Sequence, residues 1–115
     1  MENNNQKPED IERILRDYQN VQQQLRAAML QTEQLNARKI ELNTAADEVK
    51  KATGKVYFTI GGITVETTKD KAAADISEKT ETVDIRLHSL EKQINELKLK
   101  EKQLREEINK LSGAK

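Results

Sequence analysis

Apolar residues in the first part of the chain return at alternating steps of three and four. From Pro8 to about residue 52, Ile11, Tyr18, Leu25, Thr32, Lys39 and Ala46 fall on the a positions of a seven-residue repeat. The d positions are Ile14, Val21, Ala28, Leu35, Leu42 and Val49. The repeat returns over residues 68–112, with Ala73, Thr80, Leu87, Ile94, Glu101 and Ile108 at a, and Ile76, Val83, Leu90, Leu97, Leu104 and Leu111 at d. Each stretch predicts a coiled-coil helix, about 65 Å long at 1.5 Å per residue. Between them the period drops to two, and residues 55–67 predict a β-hairpin.

Equal arms around a short connector predict one antiparallel hairpin of helices. Setting a against d puts Ile11 with Leu111, Tyr18 with Leu104, Leu25 with Leu97, Ala28 with Ile94, and Val49 with Ala73. That register places the bend at Gly61-Gly62, where turn chemistry also falls. Several layers are only half apolar: Thr32 faces Leu90, Lys39 faces Val83 and Val21 faces Glu101. Such layers lower stability but oppose slipped registers. Pro8 suits a first helical turn, and Glu9 and Asp10 complement its dipole. Gly54 is expected to cap the first helix in the left-handed conformation, and Gly113 ends the second. Thr67-Thr68-Lys69-Asp70 supplies an N-cap with an acid three residues on. Residues 1–115 are expected to form a single domain, with flexible tails at 1–7 and 113–115.

In the connector, Ile60 is expected opposite Ile63, Phe58 opposite Val65 and Val56 opposite Thr67, all on one face. Tyr57 and Thr59 share the other face with Glu66 and Thr64. A lone two-stranded hairpin is marginal in water, and its apolar face and open edges need cover. The simplest cover is other subunits' hairpins joined into a β-barrel, which makes the chain an obligate oligomer. The alternative is a hairpin folded back over the ends of its own helices.

Composition narrows the function. Hydrophobic residues make up 35% and charged residues 35%, with only two Tyr and one Phe as aromatics, a profile of long helices. Basic and acidic residues balance at 20 each, so no cationic surplus invites nucleic acid or anionic membrane. A zipper-type nucleic-acid binder needs a basic helix entering the heptads, which these mixed-sign arms lack. With no cysteine there is no disulfide framework or thiolate metal site, and with a polar start no signal peptide is expected. A cytoplasmic protein is expected, with no membrane partner. Catalysis has little to use. His88, the one histidine, sits at an outer b position, and Gly61-Gly62 precedes a strand without a lysine after it. No enzyme activity, metal or cofactor is expected.

The open end of the helical hairpin gathers Ile11, Ile14, Leu15 and Tyr18 with Leu104, Ile108 and Leu111. All but Leu15 belong to the seam. Fraying there leaves apolar groups partly exposed, a surface for other apolar chains. The plainer reading is the last layers of an ordinary coiled coil.

Two equal arms around Val56-Tyr57-x-x-Ile60-Gly61-Gly62-Ile63-x-Val65-Glu66, followed by a Thr-Lys-rich helix start, resemble the β-type subunits of prefoldin, particularly archaeal ones. The likeness spans essentially the whole chain. It implies a hexamer of two α-type and four β-type subunits whose hairpins build two β-barrels and whose arms project as tentacles. It further implies an ATP-independent chaperone that holds non-native polypeptides at its tips and passes them to a group II chaperonin. Val56, Tyr57, Phe58, Ile60, Gly61, Gly62, Ile63 and Val65 would then serve assembly. Ile11, Ile14, Leu15, Tyr18, Leu104, Ile108 and Leu111 would contact the client, and Lys100, Lys102, Arg105 and Lys110 would help dock on the chaperonin. The rival is a structural coiled-coil adaptor without client activity.

Overall fold

A computed structural model describes residues 8–113. The expected tail 1–7 lies outside the described residues, as do residues 114–115 of the other. Four elements follow in order: α1 (Pro8–Lys51), β1 (Val56–Ile60), β2 (Ile63–Thr67) and α2 (Lys69–Leu111). Residue contacts gather the described residues into two compact units, one of residues up to 31 with those from 90 onward, the other Thr32–Ser89.

Helix ends are set by local chemistry. Pro8 opens α1, where its missing N–H costs no hydrogen bond, and Glu9 and Asp10 occupy the first turn while Lys50 and Lys51 close the last. Beyond α1, the Ala52 N–H donates to the Val49 carbonyl at 3.2 Å, and the Lys69 ammonium donates to the Ala52 carbonyl at 3.2 Å. The left-handed cap expected at Gly54 is absent: positive φ belongs to Gly61, Gly62 and Gly113. The lysine ammonium supplies a donor at this end instead. At the start of α2, Thr68 is the cap: its Oγ1 accepts the Lys71 N–H at 3.1 Å and its carbonyl accepts the Ala72 N–H at 2.9 Å. Gly113, at φ 76°, turns the chain out of α2 while its N–H bonds the Lys110 carbonyl at 3.2 Å.

The first unit pairs the start of α1 with the end of α2. Its buried residues are Ile14, Val21 and Ala28 from one helix and Leu90 and Leu97 from the other, all at d positions. The a positions Ile11, Tyr18, Leu25, Ile94 and Ile108 are half-buried. Tyr18 Oη donates to Glu101 Oε2 at 3.2 Å, so the polar layer at Glu101 is satisfied across the pair.

In the second unit Leu42 and Val83 are buried, with Leu35, Val49, Ile76 and Leu87 half-buried around them. Lys39 reaches from its seam position to Asp84 Oδ1 at 2.7 Å. This pair and the Lys69–Ala52 bond run the helices antiparallel within the unit. Ala46 and Ala73, expected in the seam, are both exposed, whereas Ala45 and Ala72 beside them are half-buried. An alanine methyl gains little from burial, so the contact follows the larger Leu42, Val49 and Ile76 toward the hairpin.

No side chain in the described residues falls below 2% exposure. Two paired helices give a core one seam wide, which cannot close over a residue from all sides.

Candidate functional site

The two strands pair antiparallel, Val56 with Thr67, Tyr57 with Glu66, Phe58 with Val65, Thr59 with Thr64 and Ile60 with Ile63. Gly61 and Gly62 turn between them at φ 54° and 83°. Two successive positive φ angles match the right-handed twist of the strands. A Cβ on either glycine would meet nothing within 4 Å, so the backbone conformation and not space demands glycine. Thr59 and Thr64 bring their hydroxyls within 3.3 Å across the ladder, and Lys55 Nζ lies 3.8 Å from Glu66 Oε1.

Among the described residues each strand pairs only with the other, which leaves both outer edges unbonded. Ile60 is 64% exposed and Ile63 66%; Tyr57, Phe58 and Val65 are exposed too, and Val56 is half-buried. Within the same unit a cleft of about 1270 Å³ opens between the strands and the helices. Val56, Phe58 and Ile60 line it from the hairpin, and Leu42, Ala45, Val49, Ala72 and Ile76 from the helices. The hairpin therefore does not bury its apolar face on its own helices. Unbonded edges and exposed β-branched side chains make this a candidate surface for other strands, beside a cleft that charged groups such as Arg38, Glu41, Lys71 and Asp75 also line.

The second candidate surface is the terminal end of the first unit. Leu15 is 42% exposed at an e position, and Ile11, Tyr18, Leu104, Ile108 and Leu111 are half-buried. Ile14 differs: at 5% exposure it is core, so in this conformation it lies beneath the surface it was expected to share. Lys100, Lys102, Arg105 and Lys110 are all exposed. Arg105 Nη1 bonds Glu101 Oε1 at 3.1 Å, which links it to the Tyr18–Glu101 pair.

Sequence reasoning passed over Met29, Leu30, Ile40, Ile85 and Leu99, which are large, apolar and exposed. Their signal was available: each occupies a b, e or f position, where a coiled coil ordinarily carries polar residues. Nothing among the described residues gathers three or more His, Cys, Asp or Glu side chains for a metal, and His88 is exposed. Among the described residues no helix is long and apolar enough to cross a membrane.

Comparison with known proteins bears on the whole chain. Residues 12–115 match the family described as "Prefoldin subunit". "Prefoldin subunit beta" of Thermococcus kodakarensis is 36% identical over 103 residues, covering 88% of both chains. The protein of the same description from Methanosarcina acetivorans is 30% identical over 110 residues, 94% of each. The crystal structure of the prefoldin beta subunit from Thermococcus strain KS-1 superimposes with a TM-score of 0.80 at 35% identity, covering 92% of this chain and 94% of that one.

Proposed function

The chain belongs to the prefoldin family as a chaperone subunit of beta-type likeness, and on that premise we propose that its hairpin builds the assembly and its terminal end holds the client. Kinship with the beta subunits implies assembly with α-type and β-type prefoldin subunits; a structural adaptor without chaperone activity is not favoured. In the proposed assembly, two α-type and four β-type subunits merge their hairpins into closed barrels that consume the open edges of β1 and β2. Val56, Tyr57, Phe58, Ile60, Ile63 and Val65 supply the side-chain contacts, and Gly61 and Gly62 the turn.

Non-native polypeptides are held at Ile11, Leu15, Tyr18, Leu104, Ile108 and Leu111, with Ile14 joining when the last layers loosen. The observation that carries this reading is the gradient in the first unit. Along the d positions of α2, Leu90 and Leu97 are buried, whereas Leu104 and Leu111 nearer the end are covered only in part, and Leu15 of α1 is exposed. Holding needs no ATP, because burial of client apolar surface supplies the driving force at roughly 25 cal/mol per Å². The exposed cations Lys100, Lys102, Arg105 and Lys110 dock the loaded complex on a group II chaperonin. The site of action is the cytoplasm, and the protein is not an enzyme.

An aggregation assay tests the reading. The assembled complex keeps a chemically denatured protein soluble without ATP. Replacement of Ile11, Leu15, Ile108 and Leu111 by serine abolishes that protection, while native mass spectrometry still finds the assembly. Equal aggregation with and without the wild-type complex sinks the proposal. Loss of assembly in the variant assigns these residues a structural role instead.

A further inference from the structure

The exposed apolar residues of the first unit are not spread evenly around it. Leu15 and Met29 occupy e positions of α1, 42% and 45% exposed. Fourteen residues at 1.5 Å per residue place them about 21 Å apart along the same flank. Leu30 and Leu99 are exposed as well, at f positions on the outer face between the two flanks. The opposite flank, made of g and c positions, carries Asp10, Asp17, Gln24 and Gln31 from α1, and Gln93, Glu96, Lys100 and Glu107 from α2. None of its large hydrophobic residues is exposed, because it has none.

Charge follows the same division. In an antiparallel pair the e positions of both helices border one side of the seam and the g positions the other. The apolar flank of α1 therefore faces the e and b positions of α2, and Arg26, Lys98, Lys102 and Arg105 outnumber Glu12 and Glu91 there. In the register that sets Leu25 against Leu97, Lys98 falls level with Gln24, between Leu15 and Met29 along the axis. On the g and c flank the acids Asp10, Asp17, Glu96 and Glu107 outnumber Arg13, Lys100 and Lys110.

From this juxtaposition we infer that the holding surface continues from the terminal layers along the e flank as far as Met29, and that it selects polypeptide segments whose apolar residues are flanked by Asp or Glu. The inference rests on the holdase reading above and adds a substrate class to it. Leu15 and Met29 receive apolar side chains, and Arg26 and Lys98 receive carboxylates at the rim. A segment flanked by lysines meets like charge on the same flank.

Two fluorescein-labelled peptides test it, with the same Leu, Ile and Phe residues but flanked in one by glutamates and in the other by lysines. Each is titrated with the assembled complex at low ionic strength and followed by anisotropy. The glutamate peptide binds roughly three- to tenfold more tightly, the scale of two exposed ion pairs. In an Arg26→Glu/Lys98→Glu variant the preference disappears or inverts. A Met29→Ser variant weakens the glutamate peptide and leaves assembly unchanged by native mass spectrometry. Equal binding of the two peptides, or a preference that survives charge reversal, overturns the inference. Binding of neither peptide by a complex that still suppresses aggregation overturns it too, and leaves the holdase reading standing. Loss of both sinks the reading on which it rests.

Discussion

Individual residues in the seam differ in what they contribute. Leu42 is buried among residues of both helices in its unit, so deleting its side chain removes transfer free energy and leaves a gap. Leu42→Ala is expected to destabilise by about 2–4 kcal/mol, read from the urea midpoint of the assembled protein. Lys39 also holds a seam position of the repeat but places its ammonium on Asp84, and both side chains remain about half in water. Removing that pair by Asp84→Ala is expected to cost less than about 1 kcal/mol, since solvent screens it. A shift as large as that of Leu42→Ala would show the pair to be a structural anchor. Its use is better described as register: a lysine at one a position penalises pairings that lack an acid opposite.

At the scale of elements, the two helices, their seven-residue seam and the strand register were legible in the sequence, residue for residue in the hairpin. Periodicity carried that much because it reports which side of an element meets a partner. It could not report how a short side chain is left over when larger neighbours set the contact. Ala46 and Ala73 fit the repeat and are exposed all the same. Gly54 illustrates a second limit: glycine permits a left-handed cap without requiring one, and beyond α1 the Ala52 carbonyl accepts from the Lys69 ammonium instead. Of the candidate sites, the exposed hairpin face was legible; the d position of Ile14 also marked it for the core and the e position of Met29 marked it for solvent, but neither signal was taken up. The turn is the element whose failure has the clearest consequence. A β-branched residue at the positive φ of Gly61 or Gly62 costs about 1–2 kcal/mol, a large part of what a two-stranded hairpin has. Gly61→Val/Gly62→Val is therefore expected to abolish assembly in native mass spectrometry while the far-ultraviolet helical signal persists at high concentration. Intact assembly in that variant would remove the hairpin from its proposed role.

For the whole molecule, the question is where stability comes from when no described side chain is fully enclosed. Each unit buries one seam, and the seam is interrupted by Thr32, Lys39, Thr80 and Glu101. The hairpin adds exposed Tyr57, Phe58, Ile60, Ile63 and Val65, which are a cost to solubility unless covered. In the proposed assembly other subunits supply the missing burial, and folding is then linked to association. The linkage has a direct signature. The thermal midpoint of the isolated chain is expected to rise with its own concentration, and to rise further when an α-type prefoldin subunit is added in stoichiometric amount. Replacing Ile60 and Ile63 by serine should lower the midpoint and flatten its concentration dependence, because the side chains lost are those that only a partner covers. A midpoint independent of concentration, and unmoved by the serine variant, would mean that the helical pair is stable alone. The uncovered hairpin would then need an explanation other than assembly.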